Sequence, residues 1–445
     1  MPDRWDAIVI GGGLAGISSA VRLGQAGSRV LLLDRRPYLG GRASSFVDRA
    51  TGQVTDVCQH VTLGCCTALD RLLHDLGVHD RLRYLDTITF QDRQGRRASL
   101  KAAALPPPLH LAPSLLRLPW LSLREKVSST RLMAAVSGDA PAPDDATDFR
   151  SYLIARGIPI RLLDRLVEPL IVSACNAPSA QVAVHHGIAV LRESLLLTRT
   201  GYQLGLFTLP LGELFTEPTR ELLARSGGEI RSRTIVRNVS HKPREGFTVT
   251  LISGETHRSD ACVLAVPSDA LPDLLPHGAL DAQVLGNSVA LRHAPIVAVH
   301  LWFDDELDCP EAIGLLDRDV HWVFNKSRTW TSPPSSGAYL TTVTSAADEL
   351  ASLPSSEILR RTLNDVRDSL RLPPMLAPHH SRVAIERKAT LVPAPGTDRL
   401  RPGQRTLLPG LAIAGDWTAT GWPSTMEGAV RSGRIAAEII LRDTR

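Results

Sequence analysis

Residues 7–34 of the chain read AIVIGGGLAGISSAVRLGQAGSRVLLLD. The apolar run Ala7–Ile10 predicts a strand, and the stretch Ile17–Ala26 predicts a helix that Gly27 ends. A second strand is predicted at Val30–Leu33. Because a strand, a helix and a parallel strand of these lengths form a βαβ unit, the sequence predicts an α/β protein with a Rossmann-like domain at its start.

Three glycines lie between the first predicted strand and the helix. Gly11, Gly13 and Gly16 have the spacing G-x-G-x-x-G. In such a motif the first glycine permits a tight turn, the second lets the backbone approach a pyrophosphate, and the third allows the helix to pack closely on the strand. The first helical residues, Leu14 and Ala15, offer free N–H groups to the phosphates. We therefore predict a dinucleotide site at this turn.

An acidic residue and a basic segment follow the second predicted strand. Asp34 comes 18 residues after Gly16, where its carboxylate can accept hydrogen bonds from ribose hydroxyls. A solvated carboxylate at a strand end is the alternative. Arg35 follows directly, and Gly41 and Arg42 come soon after. A guanidinium here places positive charge near the phosphates or the ring system of the cofactor.

The end of the chain supplies a second element of the predicted site. The apolar run Leu411–Ala414 predicts a strand that delivers Gly415 and Asp416. A final helix is predicted from near Thr425 to Leu441, and its N-terminus would stabilise an anionic reduced isoalloxazine. Since a nicotinamide enzyme has no need of such a C-terminal clamp, we predict FAD as the cofactor. The predicted contacts at the helix start are Thr425, Met426 and Glu427.

Composition narrows the class of protein. The chain has 445 residues, 43% of them hydrophobic, and a formal net charge of +4, which is too small to argue for a nucleic-acid partner. Its six cysteines form no CxxC pair, so we expect free thiols in a reducing compartment. His185 and His186 would diverge on a strand, and we predict no metal site. We find neither a signal peptide nor a stretch that crosses a bilayer cheaply, and we expect a cytoplasmic protein.

Three further stretches point to one family. They are Asp56-Val57-Cys58-Gln59-His60, Glu168-Pro169-Leu170 with Asn176-Ala177-Pro178, and the run from Gly415-Asp416-Trp417-Thr418 through Trp422-Pro423 to Gly428-Ala429. Together with the glycine motif, they resemble the hydroxysqualene dehydroxylases, which lie within the superfamily of flavin-containing amine oxidases and phytoene desaturases. The resemblance covers the whole chain.

The resemblance implies an amine oxidase-like architecture, in which a Rossmann-like FAD-binding domain is interleaved with an α+β substrate-binding domain. The FAD-binding domain takes residues 1–85, 211–270 and 385–445, and the substrate domain takes residues 86–210 and 271–384. Gln59 and Val236 join the implied FAD contacts. The implied reaction removes the hydroxyl of hydroxysqualene reductively, giving squalene for hopanoid biosynthesis; the electron donor is left open.

Hydroxide is a poor leaving group, so this reaction needs a proton donor at the oxygen. His60 and Asp56 are the leading candidates for the acid or its relay, and Glu168 is a second candidate. A hydrogen-bonded structural histidine, a capping carboxylate and a charge at a helix end are the plainer interpretations of the three. An aromatic ring face stabilises a nearby cation. The predicted substrate-pocket residues are Trp417, Trp422 and Asn176.

Two questions stay open at this stage. The same fold run oxidatively would make the protein a polyene or carotenoid desaturase, or an amine oxidase, whereas a flavin-free prenyl-lipid carrier is a hypothesis from another class. The Pro-rich apolar segment 105–123 is followed by Arg124 and Lys126. Residues 105–126 therefore either touch a membrane interface or form a buried loop that covers the substrate tunnel.

Overall fold

The structure is a computed structural model that describes residues 4–138, 147–332 and 337–444. The strands, in chain order, are β1 (Arg4–Ile10), β2 (Val30–Leu33), β3 (Ser45–Val47), β4 (Val54–Asp56), β5 (Val61–Leu63), β6 (Leu82–Leu85), β7 (Thr87–Gln91), β8 (Arg97–Lys101), β9 (Leu204–Phe207), β10 (Glu229–Arg231), β11 (Val236–Lys242), β12 (Gly246–Leu251), β13 (Thr256–Leu264), β14 (His293–Phe303), β15 (Ala312–Leu315), β16 (Trp322–Asn325), β17 (Ala338–Thr344), β18 (His380–Leu391) and β19 (Leu411–Ile413).

The α-helices lie between and around these strands. In chain order they are α1 (Leu14–Gln25), α2 (Thr67–Asp75), α3 (Ala112–Leu116), α4 (Leu123–Ser137), α5 (Phe149–Ala155), α6 (Ile160–Leu162), α7 (Glu168–Cys175), α8 (Val184–Leu191), α9 (Leu211–Ala224), α10 (Leu271–Leu274), α11 (Ala282–Val289), α12 (Lys326–Thr329), α13 (Ser355–Leu370) and α14 (Met426–Asp443). None of the helices in the described residues has the length and hydropathy to cross a bilayer.

The first sheet carries the predicted βαβ unit, which is confirmed as β1, α1 and β2. Its order is β10-β2-β1-β13-β12-β11, and β19 also pairs with β13. The pairs of β1 with β2, of β1 with β13 and of β13 with β19 are all parallel. Parallel strands end at the same edge of a sheet, so the segments that follow β1, β2, β13 and β19 meet there.

This sheet is covered on both faces, which explains the uninterrupted apolar runs of its strands. Val9 and Leu32 belong to one buried cluster together with side chains of α1, α9 and α14. Their neighbours Ile8 and Leu31 point the other way, into a second buried cluster with residues of β11 and β12. Successive side chains alternate between the faces of a strand, so both clusters need apolar residues from each strand.

The second sheet has the order β18-β14-β17-β16-β15-β7-β8. It combines β7 and β8 with strands that come more than two hundred residues later, and β15 pairs with β7 in parallel. Helices α4 to α8 contribute to a large apolar cluster that also contains side chains of this sheet. The architecture is therefore the expected one: a Rossmann-like α/β domain interleaved with an α+β domain.

The five-segment division of the chain stays a proposal, with two boundaries moved. Strand β9 pairs with β5 and β6 of the first FAD-binding segment, so the second FAD-binding segment starts before residue 204 and not at residue 211. Strand β18 runs from His380 to Leu391 and pairs with β14 along its whole length, within the second sheet. The proposed boundary between residues 384 and 385 would cut this strand in two. We therefore place the last passage into the FAD-binding domain after residue 391, because a strand and its hydrogen-bonded partner belong to the same unit.

Candidate active site

The three motif glycines at the carboxyl end of β1 differ in what surrounds them. At Gly11 the backbone has a φ of +103°, and a Cβ would lie 2.2 Å from the carbonyl oxygen of Ala265. A Cβ at Gly16 would lie 1.8 Å from the carbonyl oxygen of Gly11. At Gly13 the nearest heavy atom to a Cβ would be the Cα of Gly41, 3.9 Å away. Protein atoms thus exclude a side chain at Gly11 and Gly16, whereas the space beside Gly13 is open.

The carboxylate of Asp34 holds the glycine turn in place. It accepts hydrogen bonds from the backbone N–H groups of Gly12 at 2.5 Å and of Arg36 at 2.6 Å. The side chain of Arg36 donates to the carbonyl oxygen of Gly41. The Arg35 side chain is exposed. Arg36, which the sequence analysis missed, is thus the arginine that reaches the turn. No signal in the sequence distinguished the two adjacent arginines, because residues 35–39 form bends in which side chains do not alternate regularly.

The two ends of the chain meet at an ion pair. The guanidinium of Arg42 pairs with the carboxylate of Asp416, and Arg42 Nη1 also donates to the carbonyl oxygen of Ala389 at 2.7 Å. The hydroxyl of Ser424 donates to the second oxygen of Asp416. Burial disfavours the charged form of Asp416, but the charge of Arg42 and the bond from Ser424 prevail and hold the pKa of this carboxyl below its usual value. The contact is therefore a buried, charged clasp.

Helix α14 begins beside α2, and this changes the interpretation of Glu427. Thr425 Oγ1 accepts the N–H of Gly428 at 3.3 Å and caps α14. The buried Glu427 carboxylate accepts the N–H groups of Ala68 and Leu69, at the start of α2, at 3.0 and 2.8 Å. The side chain of Glu427 is thus a cap for another helix and not the predicted cofactor contact. Backbone donors at a helix N-terminus attract a carboxylate strongly.

Two other predicted cofactor contacts lie close to this edge of the first sheet. Val236 begins β11, two residues after Thr234, whose N–H donates to the carbonyl oxygen of Asp34 at 2.8 Å. Met426 is half-buried and packs on the apolar cluster that includes residues of α1 and α2. Both residues remain candidates for contact with the adenosine or the ring system.

The residues present fit FAD. Helix α1 begins at Gly13 with no side-chain cap and no acidic residue in its first turn, so its first N–H groups remain available to a diphosphate. Gln59 Oε1 and Thr390 Oγ1 are buried and have no hydrogen-bond partner among the described residues. Such buried orphaned atoms are rare in folded proteins and are satisfied when a ligand binds. The open space beside Gly13 completes a cradle for the pyrophosphate.

Asp56, at the end of β4, is a fully bonded buried carboxylate. Its Oδ2 lies 3.0 Å from Nζ of Lys326, and its Oδ1 accepts from the hydroxyl of Ser45 at 2.8 Å and the N–H of Leu211 at 2.9 Å. The ammonium group of Lys326 also lies 4.4 Å from the ring centroid of Trp330. Burial lowers the pKa of Lys326, and the Asp56 carboxylate opposes that shift. Asp56 therefore accepts a hydrogen bond at the start of α9, which fits the capping interpretation. It also pairs with Lys326, which lies in the segment proposed for the substrate domain.

Lys326 was missed by the sequence analysis. It follows the apolar strand β16 directly and is 1% exposed. Lysine is rarely fully buried unless it is paired. A signal was present, since lysine occurs only five times in the chain and one of the five comes two residues after the apolar run Trp322-Val323-Phe324. Its partner could not be identified from sequence, because Asp56 lies 270 residues away.

His60 lies between the ion pair of Lys326 and the clasp at Arg42. Its Nδ1 is 3.1 Å from the carbonyl oxygen of Cys58, which can only accept, so we assign the hydrogen to Nδ1 and the free lone pair to Nε2. Burial lowers the pKa of His60; the charges of Lys326 and Arg42 act in the same direction, whereas Asp56 acts against them. The neutral ring therefore predominates at pH 7.

Glu168 and Asn176 hold the backbone of the substrate domain together. The Glu168 carboxylate accepts both the N–H and the hydroxyl of Ser179. Asn176 ends α7 with a φ of 50°, donates to the carbonyl oxygen of Ala294 at 3.0 Å, and accepts the N–H of Ala346 at 2.5 Å. We therefore correct the predicted acid role of Glu168 and the pocket role of Asn176, because protein groups already engage both side chains.

The two tryptophans near the C-terminus also differ from their predicted pocket role. Trp417 is 3% exposed, packs in the same buried cluster as Trp5, and donates from Nε1 to the carbonyl oxygen of Val266 at 3.0 Å. Trp422 holds the guanidinium of Arg431 over its ring, 4.2 Å from the centroid. Trp417 is thus a core residue. The cation that lies on the ring of Trp422 is the side chain of Arg431 and not a cation of the substrate.

His185 and His186 lie on helix α8, so the prediction of a strand with diverging rings was wrong. Their ring centroids are 4.1 Å apart, and both Nε2 atoms contact the carboxylate of Asp398 at 2.5 and 3.2 Å. The same carboxylate accepts from Arg401 at 3.0 Å, and Arg401 also donates to the carbonyl oxygen of Asp416 at 3.0 Å. The cluster therefore connects a helix of the substrate domain to the loop of the clasp.

An apolar cavity lies in the substrate domain, between α4 and α8. It adjoins a second cavity, since both are lined by Leu100 and Leu166. Among its lining side chains only Ser129 is polar. Six of the apolar ones are Leu111, Leu115, Leu132, Met133, Val136 and Leu191. The lining is apolar and offers no charge to bind an amine, but the volume of the cavity is about 30 Å³ and its lining includes neither His60 nor the residues that fit the cofactor.

Comparisons with known proteins agree with this description. The hydroxysqualene dehydroxylase of Sinorhizobium fredii is 28% identical over 457 residues, covering 98% of this chain and 98% of that protein. The hydroxysqualene dehydroxylase of Rhodopseudomonas palustris is 29% identical over 444 residues, covering 97% of each. A 15-cis-phytoene desaturase of Solanum lycopersicum is 24% identical over 467 residues, covering 98% of this chain and 78% of that protein. The resemblance inferred from the motifs is confirmed.

Solved structures show the same fold. A double mutant of putrescine oxidase superposes with a TM-score of 0.74 at 16% identity and covers 99% of both chains. Cyclohexylamine oxidase from Brevibacterium oxydans superposes with a TM-score of 0.70 at 18% identity and covers 100% of both. The model of the family of flavin-containing amine oxidoreductases matches residues 14–441. The chain belongs to the flavin-containing amine oxidoreductase family and is an FAD-dependent oxidoreductase.

Proposed function

We propose that this oxidoreductase converts hydroxysqualene to squalene. The C–O bond breaks, the hydroxyl leaves as water after gaining one proton, and the carbon gains one hydride. When bound, reduced FAD supplies that hydride. The support is the likeness of nearly the whole chain to two hydroxysqualene dehydroxylases. The observation on this chain that carries the proposal is His60, which directly follows Gln59 in the chain and whose imidazole Nε2 contacts, among the described residues, only the sulfur of Cys58 at 4.0 Å.

Binding and orientation of the cofactor fall to the edge of the first sheet. The N–H groups at the start of α1 would hold the diphosphate beside Gly13, and Asp34 would accept from the ribose with the lone pairs that its two backbone donors leave free. Arg42 is fixed by Asp416, so its positive charge stays near the ring system. This charge stabilises the anion that a reduced flavin carries.

The proton for the departing hydroxyl comes from His60 Nε2. Hydrogen bonding of Nδ1 to the Cys58 carbonyl orients the ring, so a proton taken up from solvent resides on Nε2. Asp56 acts as a positioning residue, because its bonds to Lys326 and Leu211 anchor the strand that precedes His60. The apolar side chains around the cavity would contact part of the hydrocarbon chain, and exclusion of bulk water from the reacting carbon would protect an allylic cation from capture.

Replacing His60 by glutamine should lower turnover with bound FAD retained. General acid catalysis contributes about 10²–10⁴-fold to a rate, and we expect a loss in that range. The pKa of His60 is lowered, so the wild-type rate should rise as the pH falls through a value below 6.5, and this rise should be absent in the variant. Single-turnover kinetics of reduced holoenzyme between pH 5 and 8 measure both effects. Wild-type turnover in the variant would remove His60 from the mechanism.

The reaction itself is tested under anaerobic conditions. Reduced holoenzyme mixed with hydroxysqualene should form one squalene per flavin, with oxidation of the flavin in the same step. Oxidised holoenzyme with the same substrate is the control and should form none. If the reduced protein leaves hydroxysqualene unchanged while the flavin stays reduced, the proposed reaction is wrong.

A second candidate function is the desaturation of a polyene. It is favoured by the 15-cis-phytoene desaturases among the relatives, which match 98% of this chain at 24–25% identity. Oxidised holoenzyme incubated with phytoene and a quinone acceptor separates the two candidates. New conjugated double bonds, together with inert hydroxysqualene, would favour the desaturase. The membership of the flavoprotein family replaces the hypothesis of a flavin-free carrier.

A further inference from the structure

Five large apolar side chains are exposed along one stretch of the substrate domain. They belong to the Pro-rich segment, to α3 and to α4, and we call this surface the apolar face. Its members are Leu105, Leu109, Leu116, Leu123 and Val127. Leu123 and Val127 are 74% and 60% exposed. Monomeric soluble proteins rarely concentrate such residues in one place unless the surface contacts a partner.

Positive charge accompanies the apolar face. Arg117, Arg124 and Arg131 are exposed and Lys126 is half-buried. Their side chains form no ion pair within the part of the chain that the structure describes. Glu125 is the one acid on this stretch of α4, and its carboxylate is engaged by the N–H and hydroxyl of Ser122. The surface is therefore amphipathic, with apolar side chains and unpaired cations together.

The opposite side of the same helix lines the apolar cavity. Leu132, Met133 and Val136 of α4 face the cavity, whereas Leu123 and Val127 face solvent. Residues Leu123 and Val127 are four apart and share one stripe of the helix, as its period requires. Helix α4 therefore separates the exposed side chains of Leu123 and Val127 from the apolar cavity. The two interpretations of residues 105–126 are compatible with each other, because they concern opposite sides of this helix.

We propose that the apolar face docks the protein on an anionic lipid bilayer, the phase in which an isoprenoid substrate dissolves; the second half of this statement rests on the proposed function. A second copy of the chain is a poorer occupant, because a symmetric contact would bring two sets of unpaired cations together. Anionic headgroups neutralise these cations while the leucines enter the acyl boundary. The docking is peripheral, since no described helix spans a bilayer.

Vesicle flotation of the FAD-loaded protein tests the surface. One set of vesicles contains phosphatidylcholine alone, and the other contains phosphatidylcholine with phosphatidylglycerol. The wild type should float with the anionic vesicles, and less so as salt screens the attraction. The double variant Leu123→Asp/Val127→Asp should bind about tenfold more weakly for each side chain changed, given the free energy of burying a large aliphatic group.

A matched control uses apolar residues that are just as exposed elsewhere. Met375 and Leu407 are 92% and 69% exposed, and Met375→Asp/Leu407→Asp should float like the wild type. Equal FAD content in all proteins verifies that they are folded. Absence of wild-type flotation, or equal flotation of the Leu123/Val127 variant, would overturn the proposal. If the wild type forms a dimer and the variant does not, the proposal is also overturned, because the face is then an interface between copies.

Turnover separates this proposal from the proposed function. With hydroxysqualene in anionic vesicles, the Leu123/Val127 variant should turn over more slowly than the wild type, whereas with detergent-dispersed substrate the two should be equal. Flotation without any squalene formation would leave the docking surface standing and refute the reaction. Squalene formation without flotation would refute the docking surface and leave the proposed reaction standing.

Discussion

Gly13→Val should yield a colourless, folded protein. The space beside Gly13 is free of protein atoms, the nearest to a Cβ being 3.9 Å away, so the chain itself tolerates the side chain. The pyrophosphate needs that space and the N–H groups at the start of α1. Loss of two charge-assisted hydrogen bonds, worth about 1.5–3 kcal/mol each, weakens FAD binding by about 100-fold or more. The flavin released on denaturation, compared with the circular dichroism spectrum, measures both properties.

Two other glycines make the experiment decisive. Gly16→Val should damage the fold itself, since a Cβ there would lie 1.8 Å from a backbone oxygen of Gly11. Gly286→Val, in α11, meets nothing within 4 Å and should keep both the fold and the flavin. A yellow Gly13→Val protein would show that the pyrophosphate does not pass this turn.

Asp56→Asn should be the most destabilising conservative change in the site. It leaves the ammonium of Lys326, 1% exposed, without its anion. Removing one partner of a buried ion pair costs about 3–5 kcal/mol in the free energy of unfolding. Lys326→Met should also destabilise, and the double variant should recover part of the loss, because neither charge is then left alone. Urea unfolding of the four proteins gives the coupling free energy.

An exposed pair of the same residue types serves as the control. Lys388 and Asp269 form an ion pair with side chains that are 63% and 47% exposed. Asp269→Asn should cost about 1 kcal/mol or less, since solvent screens such a pair. If Asp56→Asn costs no more than Asp269→Asn, burial does not make the Asp56–Lys326 contact important. Turnover adds a second result: a double variant that is stable and active identifies Asp56 as a positioning residue, whereas a stable but inactive one returns it to the list of acids.

Much of the fold followed from local sequence. The glycine turn, the predicted strands around it and the final helix are decided by residues close together in the chain, where apolar periodicity and glycine placement act directly. The sequence also placed the segments of Arg42 and Asp416 at one cofactor site, as carboxyl ends of parallel strands share one edge, but it did not predict their ion pair. Most of the backbone segments that form the flavin-binding part of the site could therefore be predicted from the sequence.

Side-chain roles were harder to predict. Glu427 was expected at the cofactor because of its place in a motif, yet it caps α2, whose start lies 358 residues earlier. Trp417 was expected in the pocket because it follows Asp416, yet its ring packs in the core of the first sheet. Motif position locates a backbone segment, but the direction of each side chain depends on which distant groups need a partner.

The amino-acid sequence by itself determined the dinucleotide-binding unit, because that unit depends on short-range patterns of glycine, charge and apolar residues. The choice of FAD came from motifs at both ends of the chain, and the family from the resemblance of motifs along its whole length. Only the tertiary structure decided which charges are paired. The pair of Lys326 with Asp56, the contacts of Asp398 with His185 and His186, and the two sides of α4 all depend on how separate segments pack. A buried charge needs a counter-charge close to it in space. The packing of the chain decides which residue supplies that counter-charge, however far apart the two residues lie in the sequence.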